Sequence, residues 1–308
     1  MTITLMADHE YAAQHLASGR VKIEGFDVEI VWPQGGAGSV YAELFQDPPY
    51  DVMVIPMTNY LIALDQGEQL IGIPVFPDVS FPHLGVQTTE NSGITTAKDL
   101  EGKRVGIRGW GFNPGTWMRG ILADQYDVDL TKIDWVEAEP NSLMKIEYAR
   151  DERFRVSKGG DQVRELESGE LDAVLFDRTG PSLAGNRKSL FQNPLQEAIQ
   201  YYQRFDVFPV NVMLVAKTNT LNENPGLARA ILRACDTARD FYNLEAQNDE
   251  EHMGLPIHWL RGNGLFPHLN GIDENRKSLQ TIVRYSYNLG LISREFTPEE
   301  LFSNECIN

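Results

Sequence analysis

The stretch "GKRVGIRGWGFNPGTWMRGIL", residues 102 to 122, decides the fold class. Its "RVGIR" segment has the β-branched and apolar residues of a short buried strand. The next residues, "GWGFNPG", cannot continue that strand, because Pro114 has no amide donor and the three glycines permit positive φ. A helix is predicted to begin at about Thr116 and to run through "WMRGILADQY". The stretch therefore predicts a strand, a tight turn and a helix in succession.

Residues 109 to 116, which we call the anion seat, are predicted to bind an anionic ligand. The first turn of a helix offers amide donors and the positive end of the helix dipole, which favour a carboxylate or a phosphate. Large aromatic residues, Trp110, Phe112 and Trp117, flank this position and suit a planar organic acid. The glycine spacing is not that of a dinucleotide fingerprint, and no P-loop lysine follows. The alternative is a glycine turn that only lets the strand and the helix pack closely.

Length and composition indicate a globular protein with two lobes. The chain has 308 residues, of which 42% are hydrophobic, and this length is near the upper limit for a single core. With 44 acidic and 27 basic residues the formal net charge is −17. We therefore expect neither a nucleic acid nor a membrane surface as partner, and an anionic ligand would need a local positive pocket.

The N-terminus and the metal-ligating residue types predict a cytoplasmic protein without a metal. The segment "MTITLMADHEYAAQ" has no basic region, its apolar run is interrupted by Asp8 and His9, and no later run approaches the ~20 apolar residues of a membrane span. Two cysteines are too few for a disulfide framework or a thiolate site. His252, His258 and His268 do not have the spacing of a helical metal pair.

Short β-rich segments alternate with helical patterns along the chain, which is typical of α/β layering. The segments are "ITLMA" (3–7), "FDVEIVW" (26–32), "YDVMVIP" (50–56), "RVGIR" (104–108), "IDWVEA" (133–138), "LDAVLF" (171–176) and "VNVMLVA" (210–216).

Capping residues predict where several helices begin and end. Asn224 before Pro225 is a predicted N-cap, and Thr297 with Glu300 fits a capping box. Gly290 is predicted to end the helix in "DENRKSLQTIVRYSYNLG". The polar region from about 139 to 160 is predicted to be irregular.

Several segments, taken in chain order, resemble the 4,5-dihydroxyphthalate decarboxylase family, an enzyme branch of the type 2 periplasmic-binding-protein fold. They include "TAKDLEGKRVGIRGW", "WMRGILADQYDVD", "LESGELDAVLFDRTGPS" and "NRKSLQTIVRYSYNLGLISREFTPEELF", and the resemblance covers nearly the whole chain. The chain differs from the family pattern at "GWGFNPGT", at Pro82-His83 and at "VNVML". These differences fall on expected ligand positions, which allows a changed substrate on a shared fold.

The resemblance implies an α/β fold with two lobes, joined by two crossing strands, and a ligand cleft between the lobes. Lobe I would comprise residues 1–88 and 207–308, and lobe II residues 89–206. A homo-oligomer is compatible with this arrangement.

The resemblance also directs attention to polar residues at the ends of strands. His83 is the candidate catalytic residue, as a proton donor at the carbon that loses CO2; the alternative is a histidine bonded to a loop carbonyl. The candidate substrate-binding residues are His9, Thr58, Asn59, Arg108, Trp110, Asn113, Gly115, Thr116, Trp117, Arg178 and Asn211.

Each of the polar candidates outside the anion seat has an alternative structural role. Arg178 could clamp a carboxylate or pair with a neighbouring acid. Arg108 could be a second clamp or a solvent-exposed charge at a strand end. Thr58 and Asn59 could bind ligand oxygens or cap a helix, and Asn211 could bind a substrate hydroxyl or form a hinge hydrogen bond.

The resemblance implies a cofactor-independent decarboxylase of a hydroxylated aromatic acid, acting on a small anionic substrate. One alternative is a solute-binding or sensor protein for an organic acid, which uses the same cleft without catalysis. A second alternative is a lyase similar to chorismate dehydratase. The pyrimidine-precursor synthases that share the fold are disfavoured, because their cysteine-rich iron motif is absent from the sequence.

Overall fold

The structure, a computed structural model, describes residues 2–7, 10–34, 48–138, 152–176 and 180–307. The chain divides into two compact units. The first comprises Met1–Val79, Val210–Gln280 and Arg294–Asn308, and the second Ser80–Pro209 and Thr281–Ser293. The first boundary lies nearer the N-terminus than the sequence predicts, because residues 86–89 form a strand that pairs within the second unit.

The strands, in chain order, are β1 (Ile3–Met6), β2 (Val28–Val31), β3 (Val52–Pro56), β4 (Leu70–Val79), β5 (Val86–Thr89), β6 (Arg104–Ile107), β7 (Asp134–Glu137), β8 (Arg155–Lys158), β9 (Ala173–Leu175), β10 (Arg187–Ser189), β11 (Val210–Lys217), β12 (Glu251–His252) and β13 (Leu255–Pro256). The helices are α1 (Glu10–Ala17), α2 (Met57–Asp65), α3 (Asn113–Tyr126), α4 (Gln162–Ser168), α5 (Pro194–Phe205), α6 (Thr218–Glu223), α7 (Leu227–Glu245), α8 (Ile257–Gly262) and α9 (Ile272–Asn288). Each β-rich segment of the sequence contains one of these strands, so the predicted α/β class is confirmed.

The first unit is built on a sheet with the strand order β2-β1-β3-β11-β4. β1 is parallel to both β2 and β3, whereas β11 is antiparallel to both β3 and β4. The "VMVI" part of β3 is fully buried, as expected for a central strand without alternation of polar residues. The start of β11 therefore lies beside the carboxyl ends of β3 and β4.

The second unit contains a sheet with the order β10-β5-β9-β6-β7-β8. β6 is parallel to its neighbours β7 and β9, and β8 continues the parallel set. The chain leaves β6 towards β7 and β8 and returns to β9 on the other side of β6. In open α/β sheets such a reversal creates a crevice at the carboxyl ends of the strands, where ligands bind.

Four local features differ from the sequence predictions. Helix α3 begins at Asn113, with Pro114 in its first turn, earlier than the predicted start. The glycines of the anion seat have no positive φ. Asn224 ends α6, where its amide donates to the carbonyl of Thr220, and Gly226 is the N-cap of α7. The region predicted to be irregular contains β8, whereas its part from 139 to 151 lies outside the described residues.

Two predicted helix signals are confirmed. Thr297 and Glu300 form a reciprocal capping box at a short 3-10 turn. Gly290 has a φ of 68°, as is typical of a glycine that follows a helix end. In the described part of the chain, no helix is both long and apolar enough to cross a membrane.

Tyr60 fastens the C-terminal segment to the first sheet. Its hydroxyl donates to the carbonyl of Leu301 at 2.6 Å and accepts from the amide of Gly72 at 3.0 Å. The backbones are so close that a Cβ on Gly72 would lie 2.4 Å from the Leu301 oxygen. This hydroxyl therefore satisfies two buried backbone groups at once.

We expect Tyr60→Phe to lower the free energy of unfolding by about 1–3 kcal/mol, because it leaves a buried amide and a buried carbonyl without this partner. The measurement is urea unfolding at neutral pH. Tyr287→Phe, at a residue that is 44% exposed, is the matched control and should change the stability by less than about 0.5 kcal/mol. Equal stabilities of the two variants would contradict the assignment.

Candidate active site

The turn after β6 is held in place by hydrogen bonds within the second unit. The amide of Trp110 donates to Oε1 of Glu137 at 2.7 Å, and the amide of Phe112 donates to the carbonyl of Gly109 at 3.1 Å. The indole Nε1 of Trp110 donates to the carbonyl of Leu289 at 3.0 Å. One hydrogen bond therefore closes the turn, and two anchor it to other elements of the second unit.

Arg119 lies behind this turn as a fully buried charge. Its Nη2 donates to the carbonyl of Trp110 and to Oγ1 of Thr116 at 3.2 Å, and its Nε donates to the carbonyl of Gly115 at 3.1 Å. The guanidinium carbon also lies 4.0 Å from the centroid of the Trp110 ring. A buried cation is tolerated only with such partners, so Arg119 fixes the shape of the anion seat.

Glu137 and Lys158 connect the turn to the neighbouring strand ends. Glu137 is the last residue of β7 and is fully buried, and its Oε2 lies 2.5 Å from Nζ of Lys158 at the end of β8. The Lys158 side chain is 48% exposed. Arg108, directly after β6, is also exposed, with its guanidinium carbon 5.0 Å from the Phe112 ring centroid. Two cations therefore reach solvent at the carboxyl edge of the sheet.

The start of α3 has the features of an anion-binding helix end. The N-cap is Phe112, no side chain caps the helix, and the first turn contains no acidic residue. Gly115 is buried, yet a Cβ built on it would meet no heavy atom within 4 Å. The helix dipole and the space beside Gly115 together suit a carboxylate.

The two tryptophans near the anion seat lie in the core of the second unit. Trp110 and Trp117 are 1% and 0% exposed. Trp110 packs edge-to-face on Trp135 and Trp117 on Tyr285, with ring centroids 6.1 and 5.7 Å apart. The half-buried Phe112 is the ring of this turn that reaches the surface. The tryptophans thus support the turn from behind, and their predicted contact with a ligand stays a prediction.

In the first unit, polar candidates meet at the carboxyl edge of the sheet. Thr58 and Asn59 follow β3 in the first turn of α2, whose N-cap is Pro56, so neither is the N-cap. Asn211, near the start of β11, has its Nδ2 3.4 Å from Oδ1 of Asp78 in β4. All four polar side chains are buried. This edge is a second candidate ligand surface, formed by residues of the first unit.

The structure does not bring His83 together with the anion seat. His83 lies in a short 3-10 turn, is 0% exposed, and has its Nε2 3.1 Å from Oε1 of Gln125. Gln125 is 12 residues beyond Asn113 in α3, which corresponds to about 18 Å along a helix. Burial lowers the pKa of the His83 imidazole to about 4, against the opposite effect of the Gln125 hydrogen bond. His83 as proton donor stays a prediction, and this geometry does not support it.

Two of the candidates, His9 and Arg178, lie outside the described residues. Within the described ranges, no group of three His, Cys, Asp or Glu side chains is placed to hold a metal ion.

Four residues at or behind the two sheet edges were not predicted from the sequence as part of the site. Glu137 and Lys158 end parallel strands and could have been found by extending the strand-end rule to β7 and β8. Asp78 is the last but one residue of β4, which is antiparallel to its neighbour β11. Arg119 carries no sequence signal, because nothing in "WMRGIL" distinguishes a buried arginine from an exposed one.

The structure is similar over nearly its whole length to periplasmic binding proteins. The periplasmic aliphatic sulphonate binding protein SsuA from Escherichia coli matches with a TM-score of 0.57 and 15% identity, over 99% of this chain and 98% of that chain. The desulfurization enzyme DSZB matches with a TM-score of 0.55 and 14% identity, over 100% and 97%. At such identities the likeness concerns the fold alone. The chain therefore has the periplasmic-binding-protein fold.

A family model described as "NMT1/THI5 like" matches residues 11–245, and the chain belongs to this family. It is 26% identical to the 4,5-dihydroxyphthalate decarboxylase of Comamonas testosteroni over 310 residues, which span 93% of this chain and 92% of that protein. The 4,5-dihydroxyphthalate decarboxylase of Pseudomonas putida is also 26% identical, over 61% of this chain and 76% of that protein. The resemblance inferred from the sequence is confirmed.

We expect Gly115→Ala to keep or slightly raise the stability, since alanine favours a helix by up to about 1 kcal/mol over glycine. The added methyl group occupies the space beside the helix start and should weaken binding of a dicarboxylate such as phthalate about tenfold or more, measured by calorimetry. Gly120→Ala is the matched control in the same helix. Its Cβ would lie 2.1 Å from the Tyr285 ring, so it should destabilise the fold by about 1–3 kcal/mol. Unchanged phthalate affinity in Gly115→Ala would contradict the anion seat.

The depressed pKa of His83 predicts a pH dependence of stability. His83 binds a proton near pH 6.5 in the unfolded chain but only near pH 4 in the folded chain. The stabilisation that comes from burying the neutral imidazole is therefore complete above pH 6.5 and is lost as the pH falls towards 4. The loss is about 3 kcal/mol in the free energy of unfolding. In urea unfolding followed by tryptophan fluorescence, His83→Asn should flatten this slope, whereas a change at the exposed His258 should not. An unaltered slope in His83→Asn would contradict the buried neutral imidazole.

Proposed function

We propose that this chain is a carboxy-lyase that decarboxylates a hydroxylated aromatic dicarboxylate similar to 4,5-dihydroxyphthalate without an added cofactor. The observation that carries the proposal is the 26% identity to a 4,5-dihydroxyphthalate decarboxylase over 93% of this chain. The fold alone does not choose between binding and chemistry, because it occurs both in a binding protein and in an enzyme.

The second unit supplies groups that suit the carboxylate which the substrate keeps. The start of α3 contributes its dipole and the space beside Gly115, and Arg108 and Lys158 contribute positive charge at the same sheet edge. Lys158 already pairs with Glu137, so a substrate carboxylate would share or replace that partner. These contacts would hold one carboxylate while the other reacts.

The reaction follows from the positions of the ring substituents. In a 4,5-dihydroxyphthalate each hydroxyl is para to a carboxylate. Release of the hydroxyl proton moves electron density to the carbon that bears this carboxylate, and a proton is added there. The carbon–carbon bond then breaks, CO2 leaves, and the ring regains aromaticity as a catechol monocarboxylate. One proton is taken up at carbon for each CO2 released.

The first unit has a polar surface at its own sheet edge, and the groups of this surface suit hydroxyl groups of a ligand. Asn211 and Asp78 lie within 3.4 Å of each other, and Thr58 and Asn59 are buried at the same sheet edge. The Asp78 carboxylate can accept hydrogen bonds from hydroxyl groups, and the side-chain amides of Asn59 and Asn211 can both donate and accept them.

The test is incubation of the purified protein, without added cofactor, with 4,5-dihydroxyphthalate and a panel of hydroxybenzoates. We expect CO2 release together with a catechol acid, and a rise of the melting temperature with phthalate, which lacks the hydroxyl groups. Gly115→Ala should lose much of both effects.

The controls separate the alternatives. A melting shift without CO2 would favour an organic-acid binding protein and overturn the enzyme. A non-aromatic hydroxy acid, added to the panel, tests the lyase similar to chorismate dehydratase, which elimination of water without CO2 would favour. If no aromatic acid released CO2 or raised the melting temperature, the proposed substrate class would be contradicted.

A further inference from the structure

A cavity of about 70 Å³, partly open to the surface, lies in the first unit against one face of its sheet. The sheet side is lined by residues of β1, β3, β4 and β11, among them Leu5 and Leu214, and the opposite side by α1 and α7. Protein interiors are normally close-packed, with few voids larger than a water molecule. A gap of this size in the core therefore requires an explanation.

Small side chains create the cavity. Cys235 and Ala238 lie three residues apart on one face of α7, and both line the gap. Ala7, directly after β1, and Ala13 of α1 also line it. Leucine or isoleucine at one of these positions would fill the volume, so the sequence leaves this space open with four small residues that converge from three segments.

Two polar side chains of the wall, Arg239 and Asn270, are paired with neighbouring groups. Nη1 of Arg239 donates to Oδ1 of Asp236 at 2.7 Å, and its Nη2 donates to Asp240 at 2.9 Å. Asn270 accepts from the amide of Phe76 at 3.0 Å and donates to Asp236 at 3.0 Å. The charge of Arg239 is thereby neutralised, and a carboxylate ligand would find its cation occupied.

Aromatic side chains form another part of the wall. Tyr242 and His252 share a hydrogen bond of 3.2 Å, and both pack edge-to-face on Phe266, with centroids 5.6 and 5.3 Å away. His268 lies edge-on to Phe76, and burial lowers the pKa of its imidazole to about 3, so the ring is neutral at pH 7. The lining therefore favours an apolar and uncharged guest.

The volume limits the guest. An apolar cavity of roughly 150 Å³ stays dry and binds benzene, so about half that volume holds a molecule or group of about three to five non-hydrogen atoms.

We propose that this cavity is a binding site for a small neutral apolar molecule. The site is distinct from the anion seat, because it lies within the first unit and its lining selects against the carboxylate that the anion seat favours.

The test exposes the intact protein to xenon and to dichloromethane. We expect a saturable xenon NMR shift with one site per chain, competition by dichloromethane, and a xenon peak between α7 and the sheet in crystals under xenon pressure. Ala238→Leu and Cys235→Leu each fill the cavity and should abolish the saturable shift. Ala230→Leu, on a half-buried face of α7 away from the lining, should keep it.

Several outcomes would overturn the proposal. One is the absence of a saturable xenon shift in the unchanged protein. Another is a xenon peak that lies only outside this cavity. A third is unchanged xenon binding in a folded Ala238→Leu or Cys235→Leu variant. Competition by benzoate at the same site would overturn the neutral class of ligand. Decarboxylation without xenon binding would overturn this proposal and leave the proposed function intact. Xenon binding without decarboxylation would support this site and contradict the proposed function.

Discussion

A buried guanidinium holds the turn on which the candidate site of the second unit depends. Arg119 donates to the backbone on both sides of the bend, at Trp110 and at Gly115, while Glu137 binds the amide of Trp110 from the neighbouring strand. Burial of such a charge is costly unless hydrogen bonds satisfy it, and these carbonyl groups supply them. The turn is thus fixed by charge placed beneath it, which leaves its outer surface available for a ligand.

The Glu137–Lys158 pair places a positive charge at the solvent-exposed edge of the sheet. Glu137 is fully buried and needs a cation, and Lys158 supplies one from the end of the next strand. A buried carboxylate therefore holds a half-exposed lysine at the edge where parallel strands end. Electrostatic pre-organisation of this kind favours an anionic ligand without large rearrangement. It also explains how a chain with a net charge of −17 can present a positive edge.

In the first unit, strand direction brings the polar residues together. β11 runs antiparallel between β3 and β4, so its first residues lie beside the last residues of both neighbours. Asn211 thereby reaches Asp78, although the two are far apart in sequence. The core behind this edge contains a gap bordered by small side chains, so the first unit combines a polar rim with an apolar interior space.

The sequence by itself determined the local elements and the family. Seven of the strands, the turn after β6, the capping box at Thr297 and the stop at Gly290 follow from residues within a few positions of one another, where propensity and capping chemistry act. Tertiary structure alone decided that Arg119 is buried under the turn, that Glu137 meets Lys158, and that His83 lies against Gln125 at the far end of α3. These contacts depend on which strand lies beside which and on how deeply a side chain is buried. Pairing and burial are set by the packing of distant segments, and no local pattern encodes them.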